Sequence, residues 1–285
     1  VAPAAVRIAT RGSPLALWQA NAVATRLGAD AEIVVIKTEG DRKTDVPLEA
    51  MSGRGVFTTE VQAAVLDGRA DIAVHSAKDL PSSAELQTDG LVLACVPERA
   101  DPRDCLIGST LDGLREGATV GTGSARREAL LHHLRPDLNF APLRGNIATR
   151  LARVGELDAV VGAVAALTRL GEGDRIAEAF DPDVFVPQVA QGALAVECRT
   201  DDAATLERLA AIDDADAHRC VRAERAFLAE LGGGCDTPVG AYARIVEGEI
   251  RLVGFYAHHA EQLWWHGAGS DPVEVGASVA RAITS

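Results

Sequence analysis

Lysine is almost absent from this chain. It occurs only at Lys37, Lys43 and Lys78, although lysine and arginine together number 28, so nearly all fixed positive charge is guanidinium. Positive charge is itself in deficit, since 41 Asp and Glu leave a formal net charge of −13. That balance disfavours nucleic acid and anionic membranes as partners, because phosphate neutralisation needs a basic face, and no basic helix-turn-helix segment is present. No uninterrupted apolar run is long enough to span a bilayer. The cysteines Cys95, Cys105, Cys198, Cys220 and Cys235 contain no Cys-x-x-Cys spacing, which indicates neither a disulfide framework nor a zinc site. The neighbours His132-His133 and His258-His259 diverge on any regular element, so no metal is expected there. Low-complexity segments and solenoid-period repeats are lacking too. The start, Val1-Ala-Pro-Ala-Ala-Val-Arg7, is apolar but too short for a secretory core. A reducing cytoplasm is the simplest home, or an organelle if a transit peptide preceded Val1.

What is present is a globular chain of 285 residues, 47% apolar, with a mean hydropathy of +0.07. That length suits two or three domains. Val6 to Thr10 reads as a buried strand, followed by Arg11-Gly-Ser-Pro14 and a helix to about Leu27 with Ser13 as N-cap and Pro14 at N1. Thr119-Val-Gly-Thr-Gly-Ser124 repeats the unit, with Ser124 capping a helix from Ala125 to about Leu134. A strand, a small-residue turn and a helix N-terminus form an anion-binding unit. The exits match as well, because Gly68 to His75 and Gly155 to Gly162 both read as turn, Asp and buried strand. Two similarly built α/β lobes are expected, 1–96 with 190–213 and 99–187, joined by crossings at Pro97–Asp104 and Val186–Gly192. Residues 215–285 read as a small α+β domain: a helix to about Leu231, the loop Gly232-Gly-Gly-Cys-Asp-Thr-Pro238, three alternating strands and a closing helix.

Candidate chemistry sits at the strand ends. Ser76, Lys78 and Asp79 follow the apolar run Ala70–His75, where open α/β folds bind ligands, and a surface ion pair is the plainer reading. Arg126 and Arg127 fall in a helix's first turn, against the macrodipole, which argues for an anionic ligand unless Glu128 pairs with them. Arg11 follows the first strand. Arg144 and Arg150 flank a Gly-Asn turn in Leu143-Arg-Gly-Asn-Ile-Ala-Thr-Arg150, with intramolecular salt bridges as the alternative. Arginine clusters suit small polyanions, since guanidinium forks match carboxylates bidentately. Cys235, after three glycines, has room to bond to something other than protein, whereas Cys95 and Cys198 lie in apolar strand patterns and are expected to be packed.

The runs Arg7–Ala20, His75–Pro81, Asp101–Asp104, Leu143–Asn146, Gln191-Gly192 and Gly233–Gly240 closely resemble the porphobilinogen deaminase (hydroxymethylbilane synthase) family. The resemblance implies two lobes like those of a type II periplasmic binding protein plus a small C-terminal domain. It implies a cytoplasmic, monomeric transferase that joins four molecules of porphobilinogen head to tail, releasing ammonia, to give hydroxymethylbilane. A dipyrromethane cofactor would be anchored by a thioether to Cys235, and Asp79 would be catalytic. Cofactor and substrate side chains would meet Arg11, Ser13, Ser76 and Lys78 in the first lobe. In the second they would meet Thr122, Ser124, Arg126 and Arg127, then Arg144, Gly145 and Arg150, and finally Arg169 and Gln191. Arg54 and Phe57 would lie on an active-site loop. The chain departs from the common pattern in three places: the run Ser52-Gly-Arg-Gly-Val-Phe57 in place of Gly-Gly-Lys-Gly-Leu-Phe, Thr59 in place of lysine, and Gly123 in place of serine. A solute-binding protein for a small polycarboxylate is the alternative from another class, and the effector half of a transcription regulator a weaker one.

Overall fold

The computed structural model describes residues 5–28, 30–38, 58–82, 87–232, 237–258 and 261–285. The chain divides into two compact units, Val1–Arg99 with Ala193–Val221, and Ala100–Gly192 with Arg222–Ser285. Among the described residues, no helix is long and apolar enough to cross a membrane.

The first unit is built on a five-stranded sheet. Its strands are β1 (Val6–Arg11), β2 (Ala31–Ile36), β3 (Ile72–Ser76), β4 (Leu91–Cys95) and β10 (Leu194–Arg199), in the order β2-β1-β3-β10-β4. β1 runs parallel to β2 and β3, and β10 is antiparallel to β3 and β4. Helix α1 (Pro14–Leu27) packs on one face through Ala20 and Val23, against Val6, Ile8, Ile72 and Val74. Helix α2 (Thr59–Leu66) covers the other face with Val61 and Val65 against Ala9 and Ala73. A sheet covered on both faces explains why the successive residues Ile8 and Ala9 of β1 and Ile72, Ala73 and Val74 of β3 are all buried. α1 starts where Ser13 Oγ accepts the Ala16 amide and Pro14 follows, and it stops at Gly28, whose φ of +58° suits glycine. Helix α6 (Ala203–Ala210), capped by Asp202, follows β10.

The second unit repeats this plan. β5 (Asp104–Ile107), β6 (Thr119–Gly121), β7 (Asn139–Ala141), β8 (Ala159–Ala163) and β9 (Ile176–Ala179) form a sheet in the order β7-β6-β8-β5-β9. Here β6 is parallel to β7 and β8 while β5 is antiparallel to β8 and β9, so each lobe has one antiparallel strand next to the parallel core. Helices α3 (Ala125–Leu134), α4 (Ile147–Leu151) and α5 (Val164–Arg169) connect them.

A third, antiparallel sheet of β11 (Val239–Val246), β12 (Glu249–His258) and β13 (Glu261–Gly269) follows helix α7 (Ala215–Glu230), and helix α8 (Pro272–Thr284) closes the chain. Val253 and Phe255 of β12 join the same buried cluster as Leu106, Val120, Leu130 and Val161, which makes this sheet continuous with the second lobe's core. The helices meet at Gly276 of α8, where a Cβ would overlap the carbonyl of Ala223 on α7, so no larger residue fits without separating them. Two α/β lobes and a small α+β segment are the class expected above.

Candidate active site

In the first unit, β1 and β3 lie side by side in parallel, with Ile8 opposite Ile72 and Ala9 opposite Ala73. Their carboxyl ends therefore open on one edge of the sheet, at the point where the chain order reverses between β2 and β3. Arg11, Gly12 and Ser13 leave β1 there and lead into the N-terminus of α1. Ser76 ends β3, and Ala77–Asp79 form one short 3-10 turn, closed by the Leu80 amide on the Ala77 carbonyl. The turn is pinned from β10's side by the Ala77 amide on the Ala193 carbonyl at 3.0 Å. Gln19 of α1, buried, donates Nε2 to Ser76 Oγ at 2.7 Å. Thr10 Oγ1 donates to the Ala16 carbonyl at 3.3 Å, tying the strand to the same helix turn. Within this frame Asp79 is exposed, while Lys78 and Ser76 are half-buried. An exposed carboxylate on a braced turn can hold a cationic group, and the amides at the start of α1 beside Arg11 and Ser13 can hold an anionic one.

Behind Ser76 the strand is equally fixed. His75, buried, brings Nε2 within 3.1 Å of Glu197 Oε2 on β10, and Gln62 of α2 donates to both Glu197 oxygens at 3.1 and 2.9 Å.

In the second unit the equivalent edge lies beyond β6 and β8, with Val120 opposite Ala159. The turn Thr122-Gly123-Ser124 is held by the Thr122 amide on the Ala141 carbonyl at 3.0 Å and by the Leu143 amide on the Thr122 carbonyl at 3.2 Å. Ser124 caps α3 by accepting the Arg127 amide. Gly123 passes so near the next loop that a Cβ would stand 2.7 Å from the Leu143 carbonyl oxygen. Serine, the residue common at that position in the family resemblance, would have to push this loop away.

Arg126 and Arg127 are both buried, and their first partner is a protein carboxylate. Arg126 Nη2 lies 2.8 Å from Asp104 Oδ2, and Arg127 reaches Asp104 Oδ1 through Nη2 at 2.6 Å and Nε at 3.0 Å. Gln191 adds Nε2 to the same Oδ1 at 2.9 Å. The pairing with Glu128 weighed from the sequence does not describe this arrangement, because the partner lies 23 residues away at the start of β5. Burial would raise the Asp104 carboxyl, but Arg126 and Arg127 outweigh it and hold it down to about 2. Burial also depresses the Arg126 guanidinium, and its neighbour Arg127 adds to this while Asp104 opposes it.

Further arginines stand close to this group. Arg150, at the end of α4, has its guanidinium depressed first by burial and then by the like charges of Arg127 and Arg144. Arg150 Nε donates to the Gly145 carbonyl at 2.9 Å, and Gly145 takes φ +98° with Thr149 where a side chain would go. Asn146 caps α4 by accepting the Thr149 amide. Arg169, on α5, donates Nη2 to the Gly192 carbonyl at 2.7 Å. The structure thus brings Thr122, Ser124, Arg126, Arg127, Arg144 and Arg150 to one electropositive edge, and Arg169 and Gln191 to the strap 190–192. Asp104 and Gln19 were not singled out from the sequence, although both stand in runs that carry the family resemblance. Arg54, Phe57 and Cys235 lie outside the described residues.

Two family models match the chain. The porphobilinogen deaminase dipyromethane cofactor binding domain matches residues 6–207, and the porphobilinogen deaminase C-terminal domain matches residues 218–284. Among curated relatives, the porphobilinogen deaminase of Syntrophotalea carbinolica is 46% identical over 263 residues, 89% of this chain and 82% of the relative. That of Pelobacter propionicus is 45% identical over 264 residues, 90% of this chain and 84% of the relative. Among solved structures, a Salmonella typhimurium periplasmic binding protein with high arginine specificity aligns at a TM-score of 0.38 and 15% identity, covering 74% of this chain and 92% of that one. Matched by both family domains and at this identity across most of its relatives' length, the chain belongs to the porphobilinogen deaminase family.

Proposed function

We propose a residue-level assignment for the family's reaction in this chain. The reaction condenses four porphobilinogen molecules head to tail, releasing ammonia each time, and hydrolysis by water frees the chain as hydroxymethylbilane for tetrapyrrole synthesis. When bound, the dipyrromethane cofactor supplies the pyrrole end from which the chain is extended.

Each pyrrole ring carries an acetate and a propionate, so bound rings are polyanions. The observation that carries the assignment is the gathering of Arg126, Arg127, Arg144 and Arg150 at one edge of the second unit, where Arg127 and Arg144 stand close enough to depress the Arg150 guanidinium. Ring carboxylates are the chemical partner that such a group fits, through bidentate pairing. Thr122 and Ser124 offer hydroxyls and amides beside it. In the first unit, Arg11, Ser13, Ser76 and Lys78 bind further side chains. Asp79 acts on the substrate: the C–N bond of the protonated aminomethyl group breaks, its electron pair leaves with ammonia, and the exposed carboxylate stabilises the cationic carbon left behind.

Cys235 is assigned as the thioether anchor. Burial pushes the Cys95 and Cys105 thiols up to about 12 and that of Cys198 to about 11, which makes them poor nucleophiles and supports a packing role. Arg54 and Phe57 are assigned to a loop at the site. The domains proposed are three, 1–96 with 190–213, 99–187 and 215–285, each built around one sheet, the third sharing a buried core with the second. A monomer in the cytoplasm completes the reading; the described cysteines, all free thiols, suit a reducing compartment.

Intact mass of the purified chain, with peptide mapping of residues 233–236, tests the assignment. An added mass of two linked pyrrole units on Cys235, absent from Cys235→Ser, is expected. A normal adduct on another residue would reassign the anchor.

A further inference from the structure

Glu224, on α7, is fully buried and uses both carboxylate oxygens on backbone amides. Oε2 accepts the Ala190 amide at 2.6 Å, and Oε1 accepts the Ala243 amide of β11 at 2.8 Å. Ala190 is itself unusual, because at φ +60° it occupies the left-handed region that an alanine enters only when its surroundings impose it. It lies in a turn closed by the Gln191 amide on the Gln188 carbonyl at 2.9 Å, and Glu224 adds a side-chain hydrogen bond to its amide.

The next two residues bear directly on the arginine edge. Gln191 donates Nε2 to Asp104 Oδ1 at 2.9 Å and to the Pro102 carbonyl at 2.8 Å. Gly192, at φ +85°, presents its carbonyl to Arg169 Nη2, and a Cβ there would overlap the Ala100 carbonyl. The strap 190–192 thus touches Glu224, Asp104 and Arg169 with successive residues. A change of φ at Ala190 would swing Gln191 off Asp104, and Asp104 is the common partner of Arg126 and Arg127.

We propose that Glu224 is a positioning residue for the reaction: by fixing Ala190 in the left-handed conformation it aims Gln191 at Asp104 and so sets the Arg126–Arg127 pair. This rests on the reading of that pair as binding substrate carboxylates. Glu224 touches no substrate, and its effect passes through the strap. Sequence alone does not show it, since Glu224 is one more charged residue in a helix.

The test is a set of variants of the holoenzyme with steady-state kinetics on porphobilinogen. Glu224→Gln is expected to raise KM about tenfold while kcat changes less than about twofold. In an Ala190→Gly background, where glycine takes the left-handed conformation unaided, Glu224→Gln is expected to change KM less than about twofold. That comparison also serves if the single variant does not fold. A structural role alone would lower stability in both backgrounds without this selective loss of the KM effect. A folded Glu224→Gln enzyme with unchanged KM, or an equal KM rise in both backgrounds, overturns the proposal. Arg127→Lys is the control for the underlying reading. If it leaves KM unchanged, the carboxylate-binding assignment fails; if it raises KM and Glu224→Gln does not, only the role of Glu224 fails.

Discussion

Gln19 Nε2 donates to Ser76 Oγ at 2.7 Å, so the helix that follows β1 holds the last residue of β3. Gln19 is 3% exposed, and three residues beyond Ser76 comes Asp79. Gln19→Leu leaves the apolar packing of α1 in place and removes only this bond. It is expected to cost about 1–2 kcal/mol of stability and to lower turnover several-fold by loosening the Asp79 turn. Urea unfolding and kcat measured on the same preparation check this; stability loss with full turnover would show that the turn does not depend on Gln19.

Asp79→Asn preserves shape and removes charge. Since Asp79 is exposed, the variant is expected to unfold at the wild-type urea midpoint and to retain its covalent pyrrole mass, while turnover falls on the order of a hundredfold or more. Near-normal turnover would take Asp79 out of the mechanism.

Asp104 links acid stability to the arginine edge. Its folded carboxyl sits at about 2, below the ordinary value of 3.8, so its stabilisation is fully present above about pH 4 and is lost as pH falls through about 2. That difference corresponds to roughly 2 kcal/mol. Asp104→Asn is expected to remove this part of the acid dependence and to cost about 3–5 kcal/mol near neutrality, because two buried guanidiniums lose their carboxylate. Unfolding midpoints measured between about pH 2 and 7 decide it: parallel curves for variant and parent would sink the assignment.

Arg150 sits among like charges, so its removal should separate binding from folding. Arg150→Gln is expected to leave the thermal midpoint unchanged or higher while KM for porphobilinogen rises about tenfold or more. A fall in stability with KM unchanged would mean that its cationic surroundings are compensated within the protein.

Gly123→Ser reinstates the commoner residue against a close contact. With the Leu143 carbonyl 2.7 Å from the new Cβ, the loop carrying Arg144 must shift. The expected cost is about 1–3 kcal/mol of stability, with a rise in KM. If the variant gains stability, the loop accommodates serine and the contact is not limiting.

Local signals in the chain carried much of this architecture. Ser13 with Pro14, and Ser124 before Ala125, mark helix starts that the structure places at those residues, because a cap is a matter of a few neighbouring atoms. Cys95 and Cys198 are buried as their apolar surroundings implied. Asp79 at a strand end and the Arg144 loop were legible for the same local reason. The partner of Arg126 and Arg127 was not, since the tension of two cations in a first turn can be read locally but Asp104 reaches them only through the sheet. Glu224 carries no local mark at all, because its role depends on the backbone angle of a residue 34 positions away.

The antiparallel strand in each lobe has a further consequence for how the protein is made. β10 lies between β3 and β4, yet it is synthesised only after every strand of the second lobe. The second lobe's sheet uses one uninterrupted stretch, β5 to β9, and can close as it leaves the ribosome. The first cannot: until Leu194–Arg199 emerges, β3 and β4 have an empty lane between them. The lobe that begins the chain is therefore the later of the two to finish folding, and a nascent chain stalled before residue 194 exposes two unpaired strand edges that invite aggregation.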